Sequence, residues 1–133
     1  MACVLIVEDN PLNLELAQDI LEAQGFEVRA ARDAAQCFAA LADRRPDLIL
    51  MDIQLPGKDG LQITRELRAD PATRDLPIVA MTAHAMVEDA RLVAEAGCDG
   101  YLTKPIQTRT LAPQVAAFLA GRSQGARERR SDT

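Results

Sequence analysis

The sequence predicts an α/β domain in which a doubly wound parallel sheet of five strands alternates with five helices. Short apolar runs recur along the chain, helical periodicity fills the intervals between them, and Gly, Pro, Asp and Asn punctuate the junctions. A strand–helix alternation of this kind places helices on both faces of one sheet, and right-handed crossovers leave few arrangements.

Each element has its own warrant. CVLIV, residues 3–7, is the first strand, broken by Glu8-Asp9-Asn10-Pro11. From Pro11 to Gln24, Leu12, Leu16 and Ile20 recur every four residues and read as the inner stripe of a helix. Pro11 suits a first helical position and Gly25 a stop. Phe26–Ala31 is the second strand. Asp33 caps a helix reaching about Asp43, with Phe38, Leu41 and Ala42 inward. Asp47–Met51 is the third strand, and Leu55-Pro56-Gly57 and Asp59-Gly60 read as turns. Leu61–Ala69 is the third helix, ended by Asp70-Pro71. Pro77–Met81 is the fourth strand, followed by a helix that stops at Gly97, with Ala90, Val93 and Ala94 inward. Gly100–Thr103 is the fifth strand. The last helix starts near Thr110, because Pro113 is tolerated only in a first turn, and it turns Leu111, Val115, Phe118 and Leu119 inward.

The 133 residues fit one folded domain, 1–121. The stretch RSQGARERRSDT, 122–133, reads as a disordered basic tail, with Arg122, Arg127, Arg129 and Arg130 against Glu128 and Asp132. A net charge of −5 and an aromatic content of 3% without Trp argue against nucleic-acid binding. No apolar stretch is long enough for a membrane span, and MACVLIVEDN lacks the basic lead of a signal peptide. Cys3, Cys37 and Cys98 show no metal spacing and read as reduced core thiols, which points to the cytoplasm.

In an open parallel sheet, ligands sit at the carboxyl ends of the strands. Here strand one ends in Glu8-Asp9, strand three in Asp52, strand four in Thr82 and strand five in Thr103-Lys104. Several carboxylates at one rim need a counter-charge, and a hard divalent cation such as Mg²⁺ supplies it through oxygen ligands. Lys104, one of two lysines with Lys58, adds a compact positive charge, and Thr82 adds a hydroxyl. Cation, lysine and hydroxyl around one carboxylate suit phosphoryl transfer to Asp52 as nucleophile.

VLIVEDN, LILMDIQLPGKDG, VAMTAHAM and YLTKPI stand in order over residues 3–120. In these segments the chain resembles the CheY-like receiver domains of response regulators, above all DivK-type single-domain regulators and the receivers of hybrid histidine kinases. The resemblance implies a flavodoxin-like sheet of order 2-1-3-4-5, as in the chemotaxis receiver. It implies Asp52 as phospho-acceptor from a sensor histidine kinase or histidine phosphotransfer protein. It implies Mg²⁺ held by Asp9, Asp52 and the Gln54 backbone carbonyl, with Glu8 acting through water. Thr82 and Tyr101 match the switch pair, Lys104 the phosphate partner, and Lys104-Pro105 a cis bond. Plainer readings stand beside these: Glu8 as a solvated helix-entry acid, Tyr101 as a core aromatic, Asp59-Gly60 as a simple turn. Gln54 and His84, each two residues past a pocket member, are candidates for tuning phosphate lifetime.

No effector segment fits in the remaining residues, so output is expected through protein contact, on a face containing Val87, Leu92, Tyr101, Ala112 and Ala116. The chain is expected to be a signalling domain rather than an enzyme. A haloacid-dehalogenase-like phosphatase would need an acid two positions after its nucleophile, where this chain has Gln54. A start at the first strand favours an independent regulator, with a receiver excised from a hybrid kinase or larger regulator as the alternative.

Overall fold

A computed structural model describes residues 2–55, 57–82, 87–104 and 108–120, with residues 87–89 described by backbone alone. The expected tail 122–133, His84, the Lys104-Pro105 bond and the Val87 side chain lie outside the described residues. The elements run β1 (Cys3–Val7), α1 (Pro11–Ala23), β2 (Glu27–Ala31), α2 (Ala34–Asp43), β3 (Leu48–Asp52), α3 (Gly60–Ala69), β4 (Ile78–Thr82), α4 (Val87–Ala96) and β5 (Gly100–Thr103). A last helix, α5, covers 111–120.

The strands form one parallel sheet in the order β2-β1-β3-β4-β5. The three central strands are buried along their whole length, which is why they read as unbroken apolar runs. Alternation along each strand divides the core in two. Val4, Ile6, Leu48, Leu50, Val79 and Met81 face α1 and α5, whereas Leu5, Val7, Ile49, Met51 and Ile78 face α2 and α3. The polar strand endings therefore emerge together at one rim, between two apolar layers.

Several expected helix faces are corrected. In α1, Leu12 is 75% exposed and Leu16 40%, while Ala17, Ile20 and Leu21 are buried. A four-residue repeat drifts about 40° per step on a 3.6-residue helix, so Leu12 and Leu16 lie off the face that Ile20 turns to the sheet. In α2 the inner positions are Ala34, Cys37, Ala40 and Leu41; Phe38 and Ala42 are exposed, and the Phe38 ring instead lies 5.7 Å from Lys58 Nζ. In α4, Val93 and Ala96 are buried and Ala94 is exposed. β3 runs on through Asp52 and β4 through Thr82, one residue beyond the expected ends.

Candidate functional site

Parallel register brings the polar endings together. Val7 pairs with Met51 and Asp52 with Met81, so Glu8 and Asp52 leave adjacent strands side by side. Thr82 pairs with Thr103, and the Lys104 amide donates to the Thr82 carbonyl at 2.8 Å, extending the ladder to the lysine. The Glu8 amide donates to the Ala31 carbonyl at 2.9 Å, fixing the end of β1 against β2.

Lys104 reaches back over this rim. Its Nζ lies 2.9 Å from Asp52 Oδ2, and 3.0 and 3.3 Å from the two Glu8 carboxylate oxygens. Glu8, Asp52 and Thr82 are buried, and Asp9 is half-buried. Carboxylate oxygens of Glu8, Asp9 and Asp52 lie within 4.8 Å of one another. The Gln54 amide donates to Asp52 Oδ1 at 3.0 Å, so both Asp52 oxygens accept hydrogen bonds. Burial, followed by hydrogen bonding to Asp52, raises the Glu8 pKa from 4.5 to about 7, against the lowering effect of Lys104. Burial pulls the lysine down, but its bonds to Asp52 and Glu8 outweigh that and hold it above its ordinary value.

The floor of the site comes from α3. The Asp59 side chain accepts from the Gln62 amide at 2.8 Å and caps the helix, and Gly60 is its first residue. A Cβ on Gly60 would collide with the Asp52 carbonyl oxygen. Asp59-Gly60 is thus a helix start pressed against the nucleophile's backbone, not a simple turn. The D-x-x-Q spacing ahead of the Ile63/Leu67 stripe is the capping signal that reveals it in the sequence.

The acids, the hydroxyl and the lysine thus meet at one rim as expected. Glu8 departs from the solvated reading, being fully buried and paired with Lys104. Tyr101 departs from the core reading: it is 39% exposed and borders a groove of about 330 Å³ with Leu102, Gln114, Ala117 and Phe118. Of the expected contact face, Leu92, Tyr101 and Ala116 are exposed, whereas Ala112 is buried in the core beneath α5 beside Leu111 and Val115. Two residues along a helix turn a side chain by about 200°, but here Ala112 follows Leu111 by only one, within the buried arc.

The model of the response regulator receiver domain matches residues 4–116. The chain belongs to this family. The receiver is 40% identical over 116 residues to the polar-differentiation response regulator DivK of Brucella anthropi, covering 87% of this chain and 94% of that one. A putative response regulator from Chloroflexus aurantiacus superposes with a TM-score of 0.84 at 32% identity, covering 90% of this chain and 98% of the other. The signal receiver domain of a histidine kinase from Syntrophus aciditrophicus gives 0.82 at 33% identity, with 91% and 92% coverage. The receiver is accordingly a response-regulator domain of a two-component system, and its family implies a histidine kinase or phosphotransfer partner. The phosphatase alternative is not favoured. Among the described residues, no helix is long and apolar enough to cross a membrane.

Proposed function

We propose that Asp52 accepts a phosphoryl group from a phosphohistidine, and that the phosphorylated domain signals by protein contact. The observation that carries this reading is the contact of Lys104 Nζ with Asp52 Oδ2, at 2.9 Å, inside a cluster of three carboxylates. One Asp52 oxygen attacks phosphorus, the P–N bond breaks, and the imidazole leaves with the bonding electrons. Lys104, already between the strands, pairs with the incoming phosphoryl oxygens, and Thr82 donates its hydroxyl to them. Phosphoryl transfer requires little beyond such positioning and charge neutralisation.

The donor set also fits a divalent cation: hard oxygens only, clustered, with one lysine against three acids. Asp9, Asp52 and the Gln54 carbonyl would hold Mg²⁺, with Glu8 supporting it through water after giving up its proton. The cation, when bound, neutralises charge that builds on the transferring phosphoryl group. The domain turns over no other substrate in this reading, because position 54, where an acid would protonate a leaving group, is an exposed Gln. Tyr101 and Thr82 are the switch residues, and Gln54 limits access of water to the phosphate.

A donor protein must approach over the rim beside Asp9. Leu12 and Leu16, exposed on the first turns of α1 directly after Asp9-Asn10, give it an apolar footing. Output uses a different face, through the exposed Leu92, Tyr101 and Ala116 on α4, β5 and α5. A cytoplasmic location agrees with reduced, unpaired Cys3, Cys37 and Cys98. Incubation with Mg²⁺ and phosphoramidate, followed by intact-mass detection, tests the reading: a phosphoryl increment on the natural chain supports it, and its persistence in Asp52→Asn refutes it.

A further inference from the structure

The β2–α2 corner flanks the carboxylate rim on the β2 side of β1, across the sheet from β5 and Lys104. A polar cavity of about 390 Å³ opens there, lined by Asp9, Arg32, Asp33 and Gln36. Its hydrogen bonds form a chain. The Asp33 side chain accepts from the Gln36 amide at 2.8 Å and caps α2. Gln36 Oε1 accepts from the Arg32 amide at 2.8 Å, and Arg32 Nη2 donates to the Asp9 backbone carbonyl at 3.4 Å. The start of α2 is thereby tied to a carboxylate-bearing residue of the rim.

Arg32 bonds to a carbonyl although carboxylates stand beside it. Asp9 and Asp33 both line the cavity, yet among the described residues the guanidinium makes no ion pair with either. Lys104, by contrast, pairs with both Glu8 and Asp52. A guanidinium closed on the Asp9 carboxylate would occupy its oxygens and compete with a divalent cation. On the carbonyl it leaves those oxygens open. The backbone on either side of Asp9 is anchored separately. The Glu8 amide donates to the Ala31 carbonyl at 2.9 Å, and the Asn10 side chain accepts from the amides of Leu12 at 2.9 Å and Asn13 at 3.2 Å. Between these two anchors, Arg32 holds the peptide that joins Asp9 to Asn10.

We propose that Arg32, seated by Gln36, is a positioning residue for the divalent cation. By holding the Asp9 carbonyl it keeps the Asp9 carboxylate close to those of Glu8 and Asp52, and so sets the affinity of the site. Losing a partner that orients a metal ligand weakens binding by about 10–100-fold, and this contact, long and exposed, belongs at the low end. Charge alone has the opposite sign. A cationic side chain near the site repels a cation, so its removal would tighten binding unless positioning dominates. The proposal rests on the reading of Asp9 as a ligand to Mg²⁺.

Titration with Mg²⁺ alone, followed by NMR at the amides of Asp9, Asp52 and Gln54, tests it. Arg32→Met, which keeps the stem and loses the guanidinium, should raise the Mg²⁺ dissociation constant about tenfold. Gln36→Met, which unseats Arg32 at constant charge, should raise it about threefold. The urea midpoint of both variants in chelator should equal that of the natural chain. Unchanged or tighter binding by Arg32→Met overturns the proposal, tighter binding being the result of charge alone. Natural affinity in Gln36→Met also overturns it. So does an affinity loss accompanied by a lowered urea midpoint in chelator, which marks a merely structural role. If Mg²⁺ perturbs none of these amides in the natural chain, the cation reading of Asp9 falls and takes the proposal with it.

Discussion

Replacing Lys104 by Met keeps most of the stem volume and withdraws the cation shared by two buried carboxylates, at 2.9 Å from Asp52 and 3.0 Å from Glu8. Removing one partner of a buried ion pair costs about 3–5 kcal/mol when the other remains charged. Glu8 limits that cost, because it takes up a proton readily: its pKa is raised from 4.5 to about 7, chiefly by burial. A carboxyl whose folded pKa exceeds its unfolded one makes the fold bind more protons than the unfolded chain. Stability therefore falls as pH rises between 4.5 and about 7, and levels off above. Lys104 is among the groups that hold the Glu8 pKa down, so in Lys104→Met the decline continues past pH 7. The expected loss is about 3 kcal/mol near pH 6, growing by about 1 kcal/mol towards pH 8. Urea unfolding followed by far-UV circular dichroism, at both pH values and without divalent cations, measures it. A loss below about 1 kcal/mol, or one that does not change with pH, would refute the buried triad.

Three further outcomes follow from the geometry. Gly60→Ala should cost about 1–3 kcal/mol in the same unfolding assay despite the higher helix propensity of Ala, since its Cβ meets the Asp52 carbonyl; a stabilised variant would contradict that packing. Leu12→Glu should slow phosphorylation by a histidine phosphotransfer protein at least about tenfold and leave phosphorylation by phosphoramidate unchanged; equal effects on both donors would remove α1 as the footing. Leu92→Glu should leave phosphorylation intact and abolish capture of the downstream partner in a pull-down, and retained capture would exclude this face as the output surface.

The site was legible in the sequence wherever a polar residue ends an apolar run. Asp52 after LILM, Thr82 after IVAM and Lys104 after GYLT all lie at one rim because parallel strands share a direction. Their mutual contacts were not legible. Lys104 and Glu8 are 96 residues apart, and only the strand order and register bring them within 3.0 Å. From the sequence Glu8 can be assigned to the cation site only by resemblance, and the solvated alternative falls only once its neighbours on β2 and β3 are known. Helix faces were the weakest inference for a different reason. Leu12, Leu16 and Phe38 are as apolar as core residues, and periodicity alone does not separate an inward leucine from one left exposed for a partner. Gly60 and Gly97 show the same limit, because the backbone carbonyl and arginine stem that exclude a side chain there come from distant parts of the chain.

The central claim is that a carboxylate buried at the sheet's rim receives phosphorus with a lysine and a divalent cation as its counter-charges. Its most direct measurement is the intact mass of the chain after exposure to phosphoramidate, with Mg²⁺ and again with a chelator. One phosphoryl increment that requires Mg²⁺ and vanishes in Asp52→Asn is the predicted result; an increment that survives either the chelator or the Asp52→Asn substitution would contradict it.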